Sequence, residues 1–414
     1  MTRYRKPGPI PVYLGMVTWG NMAFMTWATM SAVYRIQEAG LDPVQLILVG
    51  TVLEISVFLF EVPTGVIADV YSRRLSLIIG YALIGLGLVL EGVLPVFATI
   101  LVAQVVWGIG FTFTSGARQA WLADELGDGT GAGQIFLKGA QLEQIGALAG
   151  IALSVALATI SLALPLIAGG FMFVALAAAL VVMMPELGFN PTPSINRTSW
   201  REMRTTFAAG LTTTRTHPVL MAILAIELFA GASSEPFDRL WTLHMLELFE
   251  FPSLWGLNSL VWFGVIGAAA LLIGAILTWI IRKMFDVDEP RTPRRLLAVA
   301  NASVIASTLV FALTGSFVLA VSMVIATTIF RRVSEPISDA WLIQHTESAS
   351  RATVFSLRGQ VNAFAQAGLG PAMGVIAVMT TLRRALVGTS ILLAPSQVIY
   401  ALIGERQRTE RIQD

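Results

Sequence analysis

The stretch Glu61–Ser76, EVPTGVIADVYSRRLS, decides how the rest of the chain is interpreted. It begins inside an apolar run and turns basic at Arg73 and Arg74, just before a second apolar run. Apolar runs joined by a short basic turn are typical of consecutive membrane helices. We expect Gly65 to let the first helix approach a neighbour closely. We expect Asp69 and the two arginines to hold the loop in one conformation through charge-assisted hydrogen bonds.

The composition places the whole chain in the membrane class. Of its 414 residues, 55% are hydrophobic and only 13% are charged, against about 25% charged in soluble domains. The net charge of +1 predicts no nucleic-acid partner. The chain has no cysteine, and its three histidines are widely separated in sequence. We therefore expect no disulfide, no metal site and no cofactor.

Twelve apolar runs are long enough to span a bilayer, which takes about 20 residues. We predict spans at Ile10–Val33, Val44–Ala68, Leu75–Leu94, Phe97–Leu122, Ile135–Ile160, Leu162–Met184, Val219–Trp241, Leu257–Ile281, Leu296–Thr314, Phe317–Leu342, Phe355–Thr381 and Leu386–Ile403. An α-helix satisfies its own backbone polar groups in lipid, so the predicted fold class is all-α integral membrane.

The longest polar break divides these spans into two sets of six. We predict an N-terminal bundle at 1–184, a linker at 185–217 and a C-terminal bundle at 218–414. Within the linker, Trp200, Met203, Phe207 and Leu211 share one helical face. This pattern predicts an amphipathic helix on the membrane surface, although a partly ordered linker would also fit.

The two halves repeat when the sequence is shifted by 220 residues. Trp121 then meets Trp341, and Lys138 meets Arg358, each within a short matching segment. A two-fold repeat places the substrate site of a transporter between its halves. The excess of basic loop residues on the side of the termini predicts that both termini are cytoplasmic, in a cell inner (plasma) membrane.

The pattern Gly65-x-x-x-Asp69-x-x-x-Arg73-Arg74, between the second and third spans, resembles the loop signature of the major facilitator superfamily. The span count, central linker and repeat agree with it. The resemblance implies the major facilitator fold, with two pseudo-symmetric six-helix bundles and alternating access. It also implies a conformational latch that uses an acid at the end of helix 4, and Asp124 is the match.

Two further segments, EVPTG at 61–65 and FDRLW at 237–241, resemble a prokaryotic exporter-like subgroup of that superfamily. This resemblance implies efflux. The sequence departs from the drug–proton antiporters at two places. Gln104 stands where the exporter branch has an arginine in helix 4, and helix 5 lacks the Gly-Pro pair.

Ionisable residues inside apolar spans are costly and therefore point to function. Glu54, Glu227 and Glu143 are the candidates for proton coupling, because burial raises a carboxyl pKa towards the physiological range. The competing interpretation is a structural carboxylate paired with a buried arginine or a backbone group.

Other charges are candidates for substrate binding or ion pairing. Arg331, Glu335 and Asp339 are spaced at i, i+4 and i+8, and we favour direct pairing within that helix over anion binding. Arg118 lies towards one end of the fourth span.

A third group, near the end of the seventh span, could gate the outer side. Its members are Glu235, Asp238 and Arg239. The simpler interpretation is that they only break and cap the helix.

These features predict a secondary active transporter rather than an enzyme. We expect proton-coupled efflux of small hydrophobic or amphipathic compounds, by a monomer in the lipid bilayer. A proton or another ion would supply the energy, because no G-x-x-x-x-G-K motif is present to bind a nucleotide. The alternatives are an importer or uniporter of a polar metabolite and, in another class, a polytopic membrane enzyme.

Overall fold

A computed structural model describes residues 7–127, 132–189, 217–253, 259–285, 289, 292–346 and 351–413. These residues form helices joined by short turns, and no strand occurs among them. The helices are α1 Pro9–Gln37, α2 Pro43–Val70, α3 Arg73–Val93, α4 Phe97–Thr114, α5 Ala117–Leu126, α6 Ala132–Ala158, α7 Ala163–Met183, α8 Pro218–Leu248, α9 Val261–Met284, α10 Thr292–Leu313, α11 Phe317–Gln344, α12 Arg351–Met379 and α13 Leu382–Gln413.

The predicted all-α membrane fold is confirmed. Within the described ranges, 11 segments are long and apolar enough to cross a bilayer, and α4 with α5 counts as one of them. The helix α1 has 29 residues, which is long enough for a twelfth span, but it is less apolar than these 11 segments. The amphipathic helix predicted in the linker lies outside the described residues.

Contacts divide the chain into two compact units. The first comprises Met1–Leu41, Val52–Met203 and Leu254–Gly264. The second comprises Asp42–Thr51, Arg204–Ser253 and Val265–Asp414.

Each unit is built on the same pattern of helix pairing. In the first unit, α1 packs against α6 and α7, while α3 packs against α4 and α7. In the second unit, α8 packs against α12 and α13, while α10 packs against α11 and α13. The second set follows from the first when each helix is replaced by its counterpart in the 220-residue repeat.

The repeat also preserves individual side-chain environments. Trp121 and Trp341 are each 1% exposed. Arg74 donates a hydrogen bond to the carbonyl of Val181 at the end of α7. Arg294, which lies 220 residues after Arg74, donates to a carbonyl of α13, the counterpart of α7, at 2.9 Å.

Small residues set the distance between α3 and α7 where they cross. A Cβ atom at Gly85 would lie 2.5 Å from the carbonyl oxygen of Gly170, and one at Gly170 would lie 2.7 Å from that of Gly85. No real side chain fits at such distances, so the two backbones touch directly. Membrane helices gain packing energy from this close approach.

Candidate functional site

The loop between α2 and α3 joins the end of α2 to α5 through Arg73. One guanidinium nitrogen of Arg73 lies 2.5 Å from Oδ2 of Asp124, and the other lies 3.7 Å from Oδ1 of Asp69. The structure thus brings three of the predicted latch residues together. Gly65 has no atom within 4 Å of the position of a Cβ, so the expectation of close packing at this glycine is wrong for the described residues.

The same loop binds the segment that follows α7, which the sequence did not predict. The Glu186 carboxylate accepts hydrogen bonds from the Ser72 hydroxyl at 2.7 Å and from the Arg74 amide at 2.9 Å. Those groups lie at the N-terminus of α3, where a negative charge is favoured. On α5, Glu125 accepts from the Gly188 amide at 2.7 Å, and Trp121 donates to the Pro185 carbonyl.

A break in the fourth span positions Arg118. Gly116 has φ of 67°, in the left-handed region that favours glycine, and it separates α4 from α5. Arg118 then lies 3.5 Å from Oε1 of Glu143 on α6, and both side chains are partly buried. The structure therefore pairs a predicted ion-pair candidate with a predicted proton-coupling candidate. Glu54, the proton-coupling candidate on α2, is half-buried.

The most deeply buried ion pair of the first unit was missing from the sequence prediction. Arg35 on α1 binds both carboxylate oxygens of Glu91 on α3, at 2.7 and 3.1 Å. Their side chains are only 4% and 0% exposed. Gln104 on α4 donates to the same carboxylate at 3.0 Å. Gln104 therefore completes a three-helix polar cluster, as a neutral donor at the position where the exporter branch has an arginine.

The second unit contains a polar cavity of about 250 Å³. Glu227 on α8 lies in its wall, and both of its carboxylate oxygens are bound from α12. Arg358 Nε donates to Oε2 at 2.9 Å, and Asn362 Nδ2 donates to Oε1 at 2.7 Å. Arg358 also pairs with Asp339 on α11. Glu227 and Asp339 thus share one guanidinium.

The predicted pairing within α11 is wrong. Arg331 turns to α8, where its two terminal nitrogens bind both oxygens of Asp238 at 2.6 and 2.8 Å. Asp339 turns to Arg358 on α12. Glu335 lies between them, lines the cavity, and forms neither a hydrogen bond nor an ion pair with any described residue.

The three predicted outer-gate residues have different partners. Glu235 and Arg239 pair along α8 at 2.8 Å, with the Glu235 side chain 3% exposed. Asp238 binds Arg331 at the cavity instead. The second unit also includes the start of α2, where a Cβ at Gly50 would overlap the Glu235–Arg239 pair.

Aromatic side chains of α1 and α4 form a cluster in the first unit. The Trp27 ring lies 5.5 Å from that of Phe24 and 5.1 Å from that of Trp107. The Trp27 side chain is only 5% exposed, so this cluster packs α1 against α4.

Two of the histidines that are far apart in sequence meet in the second unit. The rings of His217 and His345 lie 5.7 Å apart, edge to face. Burial and the neighbouring His345 lower the pKa of His217, so this side chain is neutral at pH 7. The described residues contain no group of three or more potential metal ligands.

The comparisons with known proteins decide the family. Residues 12–371 match the model of the Major Facilitator Superfamily. The chain belongs to this superfamily. Over 87 residues it is 30% identical to an uncharacterized MFS-type transporter, YxaM, of Bacillus subtilis (strain 168). That match spans 21% of this chain and 22% of the relative.

Solved structures of Major Facilitator Superfamily transporters share the fold. The chain is similar to the nucleoside transporter NupG, with a TM-score of 0.74, 12% identity, and coverage of 96% of this chain and 99% of that one. It is similar to a bacterial homolog of the human lysosomal transporter Spinster, with a TM-score of 0.72, 16% identity, and coverage of 96% and 97%. For a POT family transporter in complex with 5-aminolevulinic acid, the TM-score is 0.70 at 13% identity, with coverage of 95% of both chains.

Membership of the Major Facilitator Superfamily makes this chain a multi-pass membrane transporter. The family does not explain every charge described above. Arg35, Glu91 and Glu186 were absent from the sequence prediction because each lies at or near the end of a span, where charges are common. A polar residue inside the apolar run, Gln104, was the one signal that a buried partner existed.

Proposed function

We propose that this chain exports small amphipathic compounds in exchange for protons, by alternating access. Glu227 carries this proposal, because it is a carboxylate inside a membrane span, in the wall of a polar cavity. Such a group can take a proton from one side and release it to the other when access alternates.

The shared guanidinium means that loss of the Glu227 charge would not leave Arg358 without an acidic partner. Removing one charge of a buried pair usually costs about 3–5 kcal/mol, because the other charge loses its compensation. When Glu227 takes up a proton, Arg358 keeps its contact with Asp339. The cluster can therefore alternate between two protonation states without leaving a bare cation.

The amphipathic character of the substrate is proposed from the lining of the cavity in the second unit. This lining combines charged and polar side chains with apolar ones such as Ile226, Phe237 and Leu297. A solute with a polar end and an apolar end matches it. The polar cavity also supports a second candidate function, import of a polar metabolite.

The latch and the orientation complete the proposal. Arg73, held by Asp124 and Asp69, would stabilise one conformation at the cytoplasmic face. Gly65 lies one turn before Asp69 on α2, and Arg74 lies beside Arg73 in the first turn of α3. We propose that both termini are cytoplasmic and that the protein lies in the inner membrane of the cell, because basic loop residues are in excess on the side of the termini.

The test uses proteoliposomes with an imposed pH gradient, a panel of small amphipathic dyes, and an internal dye that reports pH. In the parent we expect dye and proton to move in opposite directions. Glu227→Gln should abolish gradient-driven movement, because the amide cannot carry the proton. Its matched control is Glu250→Gln, which removes an exposed carboxylate beyond the end of α8.

Full gradient-driven transport by Glu227→Gln would refute the coupling role of this residue. Dye and proton moving in the same direction would instead favour the importer. Size-exclusion profiles of both variants establish that the proteins remain folded.

A further inference from the structure

The cavity of the second unit is surrounded by an excess of negative charge. Its charged lining residues and their ion-pair partners comprise four carboxylates and two guanidiniums: Glu227, Asp238, Glu335, Asp339, Arg331 and Arg358. The nearby Glu235–Arg239 pair is neutral as a whole. With all groups ionised, four negative and two positive charges leave the cavity with a net charge of −2.

Glu335 carries one of these two uncompensated negative charges, and the other belongs to Glu227 and Asp339, which share Arg358. Both arginines of the cavity already bind carboxylates, Arg331 through two parallel contacts and Arg358 through two different acids. Arg331 still attracts Glu335 over a longer distance. An ionised carboxylate at a cavity within a membrane span is costly unless something neutralises it.

The hydrogen-bonding groups of the lining point to the same chemistry. Ser234 donates its hydroxyl to the carbonyl of Gly231 at 3.1 Å, and Ser334 donates to Phe330 at 2.7 Å. A hydroxyl that has donated its proton to its own helix can only accept another bond from the cavity. The amide nitrogen of Asn362 is likewise used by Glu227.

We propose that this cavity binds the cationic end of the substrate, a protonated amine, with Glu335 as its counter-ion. The proposal rests on the proposed transport function and specifies its substrate class. The ammonium group would donate its N–H bonds to acceptors that the lining leaves open, and it would neutralise Glu335. An anion would instead have to displace Asp238 or Asp339 from an arginine.

The test measures binding calorimetrically on the full chain in detergent at pH 7 and low salt. The probes are 2-phenylethylamine, which is protonated at this pH, neutral 2-phenylethanol and anionic phenylacetate. We expect the amine to bind about tenfold more tightly than phenylacetate. Glu335→Gln should weaken binding of the amine about tenfold, which corresponds to ~1.4 kcal/mol, and leave 2-phenylethanol unchanged. Glu250→Gln is the matched control and should equal the parent.

Three results would overturn the inference. They are binding of phenylacetate as tight as that of the amine, no binding of the amine by the parent, and undiminished binding of the amine by Glu335→Gln. Binding is measured without a pH gradient, so its result does not depend on whether the chain couples transport to protons. If the amine binds as expected but no pH gradient drives its transport, the proposed function fails and the cation site stands.

Discussion

Removal of the Glu91 carboxylate should strongly destabilise the first unit. In Glu91→Ala, the guanidinium of Arg35 loses the acid that lies 2.7 Å away, and the Arg35 side chain is only 4% exposed. Gln104 also loses its acceptor. Breaking a buried ion pair by removing one partner costs about 3–5 kcal/mol. At roughly 2–4 °C per kcal/mol for a unit of about 150–250 residues, the apparent Tm should fall by about 10 °C.

Thermal unfolding of the detergent-solubilised chain, followed by tryptophan fluorescence, measures this change. Glu38→Ala, which removes an exposed carboxylate at the end of α1, is the control and should lie within about 0.5 kcal/mol of the parent. Arg35→Met combined with Glu91→Leu should recover part of the loss, since apolar groups of similar volume can replace a buried pair, while the Gln104 amide still lacks its acceptor.

The reasoning is refuted if Glu91→Ala melts within about 2 °C of the Glu38→Ala control. It is also refuted if the double variant melts as low as Glu91→Ala alone. Either result would mean that the Arg35 charge finds other compensation in the folded chain.

Two further predictions concern the latch and the helix crossing. Arg73→Asp should slow gradient-driven flux in proteoliposomes at least about fivefold, because it removes an interaction of about 1 kcal/mol. Adding Asp124→Arg should restore the flux. A double variant that is no faster than the single one would contradict the pairing of Arg73 with Asp124. Gly85→Ala should lower stability by about 1–3 kcal/mol, because the new methyl group meets the carbonyl of Gly170. Gly15→Ala, with no atom within 4 Å of its Cβ position, should instead stabilise α1 by up to about 1 kcal/mol. Equal unfolding temperatures for Gly85→Ala and Gly15→Ala would be evidence against the close crossing of α3 and α7.

The fold could be predicted from the sequence because the bilayer restricts the choice of structure. Long apolar runs have to become helices there. The loop pattern between α2 and α3 then identified the family. Glu227 was predicted as a buried carboxylate for the same reason, since a charge in the middle of an apolar run is unusual.

The partners of the charges could not be predicted from the sequence. Spacing along α11 suggested pairs between residues four apart, which are worth only about 0.2–0.5 kcal/mol. The structure instead forms a two-point contact from Arg331 to Asp238, 93 positions apart in sequence. Such a contact is stronger, but it depends on which faces of α8 and α11 meet. That geometry depends on how the helices pack, so the spacing of residues along one helix does not predict it.

The two halves of the 220-residue repeat agree in the burial of a tryptophan and differ in their charges. The tryptophans at 121 and 341 are equally buried in the two halves. The basic position at 138 and 358 diverged instead. Lys138 is exposed on α6, while Arg358 on α12 binds two acids, Glu227 on α8 and Asp339 on α11. Two halves related by a sequence repeat can therefore share their helix packing while differing in their charges. The acidic network around Arg358 belongs to the second unit, so a probe of its chemistry tests one half of the chain alone.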